Sequence, residues 1–171
     1  MERNNAITFR GSAMTLVGPE VRAGEPAPDF TLTTSAMAPI TLRETLDGGK
    51  GAMFIILPSV DTPTCSKETL TFHDRKAELP EGVRAYVVSM DLPFAQARWA
   101  ATHKVEGIEF LSDYRDHTFG KAYGVAIKEL GLLARAVIVV DKEGTVRYDE
   151  LVKEIADEPD YEKALAAAKT L

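Results

Sequence analysis

The sequence predicts an α/β fold: a mixed β-sheet of about five core strands with helices on both faces and a β-hairpin ahead of it. Three observations carry that expectation. Short, strongly apolar runs at Ala52–Leu57, Val83–Ser89 and Ala136–Val140 have the length and β-branched content of buried strands. Between the first two lies a stretch of good helix formers, Ser66–Leu79, stopped by Pro80–Gly82, which makes a βαβ unit. The third run closes in the turn Asp141–Gly144, so the segment Thr145–Val152 pairs back as a hairpin before a final helix.

The remaining elements follow in chain order. Ile7–Phe9 and Met14–Leu16 alternate around Gly11 and Ser12, a hairpin signal that places an appendage over residues 1–20. Gly24–Phe30 is too proline-rich for a regular element and leads into short extended pieces at Thr31–Thr33 and Ile40–Leu42. A turn at Asp47–Gly49 opens the first central strand. Pro93–Ala101 suits a helix with Pro93 in its permitted first turn and Asp91 as a candidate cap. Ile108–Leu111 reads as a strand, Asp116–Tyr123 as a short helix, and Asp160–Lys169, after Pro159, as the closing helix.

Composition bounds the class. At 171 residues the chain fits one domain, 1–171, with a single core. Apolar residues make up 45% and charged residues 27%, values of a soluble globular protein, and the net charge of -6 argues against a general nucleic-acid surface. No apolar run reaches the ~18 residues of a membrane span, and Met1–Asn5 lacks the pattern of a signal peptide, so a cytoplasmic protein is expected. His73, His103 and His117 show no metal-ligand spacing, and no metal site is expected. Trp99 and Phe94 read as core or interface packing, with the possibility that their helix lines an apolar mouth.

The chemistry concentrates at Cys65, the one cysteine. A lone cysteine is ordinarily a small buried hydrophobe. This one follows two prolines and three hydroxyl residues at a chain reversal, Pro58–Cys65, straight after a strand and in the first turn of a helix. The free N–H groups of a helix start favour a thiolate over a thiol. Such junctions at the carboxyl ends of parallel strands are where α/β sheets gather ligands. With one thiol no disulfide can form within the chain, so Cys65 exchanges only with another molecule or an oxidant. Arg135 stands at the head of the apolar run Ala136–Val140, where a guanidinium needs either solvent or an anion.

The element order is that of thioredoxin-like folds, whose Cys-x-x-Cys spacing survives here as Thr62–Cys65 with a hydroxyl in place of the first sulfur. The pattern Pro58-x-x-x-Thr62-x-x-Cys65, with Gly24–Phe30 upstream, resembles the peroxidatic signature of the peroxiredoxins. Asp91–Arg98, Lys121–Ala126, Ala134–Ala136 and Glu158–Tyr161 look like the bacterial thiol peroxidase subfamily, and the likeness runs nearly end to end. The resemblance implies reduction of hydrogen peroxide and especially alkyl hydroperoxides, no cofactor, a homodimer, and thioredoxin or another thiol as reductant. It makes Cys65 the peroxidatic nucleophile, Thr62 its hydrogen-bond partner, Arg135 its cationic partner and Pro58 part of the substrate pocket. It also exposes a departure: where the subfamily carries a resolving cysteine after the position of Trp99, this chain has Ala100. Resolution then falls to an external thiol or is lost.

Magnitudes set what such a site must add. Lowering a thiol pKa from ~8.5 to ~6 raises the thiolate fraction at pH 7 roughly 30-fold, while a Brønsted slope of ~0.45 returns about 13-fold of that in lost nucleophilicity. Donors aimed at the breaking O–O bond must supply the rest. Thr62, Arg135 and the Cys65 N–H are the candidates. The competing reading is a non-enzymatic peroxide sensor or thiol-interaction protein, in which oxidised Cys65 forms a mixed disulfide with a partner.

Overall fold

The computed structural model describes residues 1–171. In chain order its strands are β1 (Glu2–Phe9), β2 (Ser12–Val17), β3 (Thr31–Thr33), β4 (Pro39–Thr41), β5 (Gly51–Ile56), β6 (Val83–Ser89), β7 (Glu109–Ser112), β8 (Ala126–Ile127), β9 (Leu132–Leu133), β10 (Ala136–Asp141) and β11 (Val146–Leu151). The helices are α1 (Leu42–Leu46), α2 (Pro63–Asp74), α3 (Pro93–Thr102), α4 (Thr118–Ala122) and α5 (Tyr161–Ala168). The main sheet has the order β11-β10-β5-β6-β7-β3-β4, with β5, β6 and β7 parallel and the other pairs antiparallel. It has seven strands rather than about five, because β3 and β4 extend the β7 edge. The α/β class with a mixed sheet and flanking helices holds.

Strand alternation divides the interior into two layers. Phe54, Ile56, Val88 and Ile138 face one layer, where Phe30, Phe119 and Tyr123 gather. Met53, Ile55, Val87, Val137 and Val139 face the other, which α2, α3 and α5 cover through Cys65, Phe72, Trp99 and Leu165. The thiol therefore starts life inside the helical layer, on the face of α2 that meets the sheet. Trp99 is buried there and stacks on His103, whereas Phe94 on the same helix is exposed.

Several local expectations shift. The hairpin turns at Arg10 and Gly11, both with positive φ, and Ser12 pairs with Phe9; a two-residue loop of this kind matches the twist of its strands. Nor is the hairpin an appendage. β2 pairs with β8 and β8 with β9 in a second, four-stranded sheet, and Ile7 and Leu16 are buried in the first layer. Truncating Leu16 to alanine should cost roughly 2–5 kcal/mol, as for any fully buried leucine. Leu42 opens α1 instead of ending β4, because Thr41 and Glu44 form a reciprocal cap. Helix α2 begins at Pro63, earlier than Ser66, and gives way to a 3-10 turn at Lys76–Glu78. The closing helix starts where predicted, with the Asp160 carboxylate capping the Lys163 N–H.

Candidate active site

Cys65 lies in the first turn of α2, and the local sequence dictates that turn. Thr62 is extended and its Oγ1 accepts the Cys65 N–H at 3.2 Å; Pro63 follows at the one helical position that tolerates a missing donor. Thr69 returns a hydroxyl to the Cys65 carbonyl at 2.9 Å. From this start the spacing 65, 68, 69, 72 forms the buried face of α2. The thiol itself is fully buried.

Arg135 reaches the thiol because of strand register. β10 runs antiparallel to β5 with Ala136 opposite Ile56, so the residue before β10 sits beside the chain leaving β5 toward Pro58. The guanidinium is buried and each of its nitrogens has a separate partner: Nε donates to the Ile155 carbonyl at 3.0 Å, Nη1 to the Glu68 carboxylate, and Nη2 to Cys65 Sγ at 3.3 Å. Of the two environments an arginine at that position could have, solvent or an anion, it has the second.

Glu68 is the residue that sequence reasoning missed. It is fully buried, its pKa is pushed up to about 8 by burial against the pull of Arg135, and its Oε1 has no hydrogen-bond partner. Arg135 is shifted the other way from what burial alone would give: burial opposes its charge, but Glu68 and Cys65 hold its pKa above the ordinary value. A signal was available. Glu68 stands three residues after Cys65, so a helix starting at the thiol puts both on one face, and a carboxylate on an apolar face needs a cation.

Asp91 is also corrected. Leu92 occupies the cap position of α3 with no side-chain hydrogen bond, and the Asp91 carboxylate turns to the strand ends instead. It accepts from the Ser59 hydroxyl at 2.7 Å, the Val60 N–H at 2.8 Å and the Ser89 hydroxyl at 2.7 Å. Gln96 of α3 extends this set by donating to Ser89 Oγ and to the Leu111 carbonyl. The turn Pro58–Thr62 is thereby fastened to the carboxyl ends of β6 and β7.

Beside the site lies a cavity of about 400 Å³ whose lining includes Pro58, Thr62 and Arg135; the buried Cys65 sits behind Arg135 and does not itself line it. Its walls also include Phe9 and Arg10 of the hairpin, Leu130 and Leu132 around β9, Ile155, and the polar Asp61 and Thr64. The structure thus brings Cys65, Thr62, Arg135 and Pro58 together. Ala100 is half-buried on α3, packed against the same helical layer as Cys65. The Thr62 hydroxyl oxygen serves the Cys65 N–H rather than Sγ, and Thr62 also lines the cavity.

Comparison with known proteins agrees with this geometry. The Redoxin family profile matches residues 22–165. A thiol peroxidase of Halalkalibacterium halodurans is 49% identical over 164 residues, 96% of this chain and 97% of its own length. One from Bacillus subtilis is 47% identical over 165 residues, again 96% of this chain and 97% of its own. Among solved structures, a peroxiredoxin-like protein from Aquifex aeolicus superposes with a TM-score of 0.87 at 38% identity, covering 97% of this chain and 96% of that one. With a family profile over most of its length and relatives near half identical end to end, the chain belongs to the redoxin family and, within it, to the thiol peroxidases.

Proposed function

We propose that this thiol peroxidase reduces hydroperoxides at Cys65, with Arg135 and Thr62 as its partners. The observation that carries the assignment is the Arg135 Nη2 donor at 3.3 Å from Cys65 Sγ, on a guanidinium that also lines the cavity. A cation so placed can hold a thiolate and then the charge that moves onto oxygen as the O–O bond breaks. The thiolate attacks one peroxide oxygen in line; the O–O bond breaks, alkoxide or hydroxide leaves and takes a proton, and Cys65 becomes a sulfenic acid. Thr62, with its Oγ1 oxygen tied to the helix start, offers its O–H to the bound peroxide. The apolar walls Phe9, Leu130, Leu132 and Ile155 favour alkyl hydroperoxides over hydrogen peroxide.

Reduction of the sulfenic acid needs an external thiol, because position 100 is alanine. That thiol condenses with the sulfenic acid to a mixed disulfide and water, and a second thiol releases Cys65. Thioredoxin or a comparable dithiol suits this step. We read the active form as a homodimer, supported by the exposed Leu92 and Phe94 at the start of α3, and the location as the cytoplasm, where a free thiol stays reduced. No helix is long and apolar enough to cross a membrane. We read residues 1–171 as one working domain, supported by the hairpin's share in the core and in the cavity wall. The relatives are named as peroxidases, which favours the enzyme over the sensor.

The test is stoichiometric peroxide on the reduced protein. Cys65 should gain one oxygen by mass and be trapped by dimedone, and Cys65→Ser should abolish peroxide consumption; a Cys65 inert to peroxide under native conditions sinks the assignment.

A further inference from the structure

Resting on Cys65 as the nucleophile, we propose that Glu68 governs when Cys65 ionises. The thiol and the carboxyl compete for the one guanidinium of Arg135, and the thiolate forms together with a protonated Glu68. All three groups are fully or almost fully buried, and two acidic groups share one cation. Both ionised, they leave a net negative charge without solvent; both protonated, they leave the arginine without an anion. Either state is costly in a buried site. The two neutral states remain, and they interconvert by exchange of one proton: Cys65–SH and Glu68–COO⁻ become Cys65–S⁻ and Glu68–COOH. An S–H bond breaks, an O–H bond forms, and no electrons change hands between the groups.

Two further observations favour the state with a protonated Glu68. Its Oε1 is buried without a partner, a heavier cost on a full negative charge than on a neutral carboxyl. The other groups facing Glu68 press the same way: Glu150 of β11 and Glu158 ahead of α5 are further carboxylates, and Tyr161 of α5 stays a neutral phenol whose pKa burial and Glu158 raise. Burial and these neighbours hold the carboxyl's own pKa near 8 even beside Arg135. Glu68 makes no hydrogen bond to Sγ, so it is a positioning residue that acts through Arg135. Attack on peroxide ends the competition: the sulfenic acid is neutral, the leaving alkoxide or hydroxide takes up the proton that Glu68 gives up, and Arg135 reverts to the Glu68 carboxylate.

The experiment is a pH titration of Cys65 by its thiolate absorbance and by its alkylation rate, comparing the unaltered protein with Glu68→Gln. Glutamine keeps the shape and cannot ionise, so Arg135 belongs to the thiolate at every pH. The thiolate titration should move down by at least about half a pH unit, which is ~3-fold more alkylation on its acid limb. A titration that stays put or moves up overturns the proposal, since a merely structural Glu68 would lose thiolate stabilisation on substitution. A second measurement leaves Glu68 in place. Followed against pH, the infrared band of a buried carboxylic acid should persist to higher pH in the unaltered protein than in Cys65→Ser, where no thiolate competes; coincident curves overturn the proposal. Neither readout uses peroxide, so failure here stands apart from failure of Cys65 as the nucleophile, which peroxide consumption by Cys65→Ser reports.

Discussion

Replacing Arg135 by methionine tests the centre of the mechanism. The side chain is buried with three partners, and methionine fills similar space with none of the donors. At the thiol, the loss is one charge-assisted hydrogen bond, worth roughly 1.5–3 kcal/mol. If that bond is made in the transition state, the rate constant for Cys65 oxidation falls by about 10- to 150-fold. The assay is stopped-flow oxidation under excess peroxide, run on the alkaline plateau where the thiol is fully ionised, so that a change in thiolate fraction cannot mimic the effect. Stranding Glu68 would ordinarily cost about 3–5 kcal/mol of stability. With its pKa already about 8, however, Glu68 takes up a proton near neutrality and most of that penalty should appear only above pH 8. Arg135→Lys retains the charge but not the fork that serves Ile155, Glu68 and Cys65 separately, and should recover only part of the rate. A plateau rate for Arg135→Met within about twofold of the parent, with the fold intact by circular dichroism, refutes the role of this donor.

Further outcomes are expected. Thr62→Val removes the cap on the Cys65 N–H and should cost about 1 kcal/mol in denaturant unfolding as well as slowing oxidation, while Thr62→Ser restores both. Asp91→Ala leaves Ser59, Val60 and Ser89 without their acceptor, and a loss of about 2–3 kcal/mol in urea melts is expected. Glu68 also gives stability a pH dependence. Its folded pKa of about 8 lies above the unfolded value of 4.5, so its contribution is complete below about pH 4.5 and is lost as pH rises through 8. Melting curves should therefore show stability falling between about pH 5 and 8, and falling less in Glu68→Gln; parallel curves contradict the assignment. Ala100→Cys should allow peroxide to link Cys65 to the new thiol, read as a loss of two hydrogens by mass; failure to link shows that position 100 is not the resolving site.

What the sequence made legible is what short range and periodicity encode. The apolar runs of β5, β6 and β10, the proline at the start of α3, and the turn Asp141–Gly144 each state their structure locally. The thiol's place at a helix start belongs to this class. Arg135 was half legible: its position ahead of an apolar strand demanded a partner, but only the antiparallel register of Ala136 against Ile56 shows which one. The short strands β8 and β9 have two residues each, too few for any period, and without them the hairpin looks detached. Asp91 misled because a carboxylate before Pro93 is a reasonable cap until three donors from Ser59, Val60 and Ser89 compete for it.

Glu68 is the instructive omission, for it changes what the site can do. A thiol paired with a solvated arginine would titrate alone, governed by one interaction. A thiol that must share a buried arginine with a buried carboxyl is one of two linked acids, and its ionisation is a property of the pair. The signal lay in Cys65-x-x-Glu68 once the helix was granted, since i and i+3 share a face and that face is the apolar one. Ala100 acquires meaning from the same arrangement. With no sulfur on α3 to capture it, the sulfenic acid formed behind the cavity persists until an external thiol arrives, and over that interval Arg135 is held by Glu68. To be oxidised again, the sulfur would have to attack a second peroxide as a sulfenate, which must regain the guanidinium from an ionised carboxylate. Overoxidation of Cys65 should consequently be faster in Glu68→Gln than in the parent at equal peroxide, measured as the fraction of sulfinic acid by mass; an unchanged fraction would separate the protection of the sulfenic acid from the competition for Arg135.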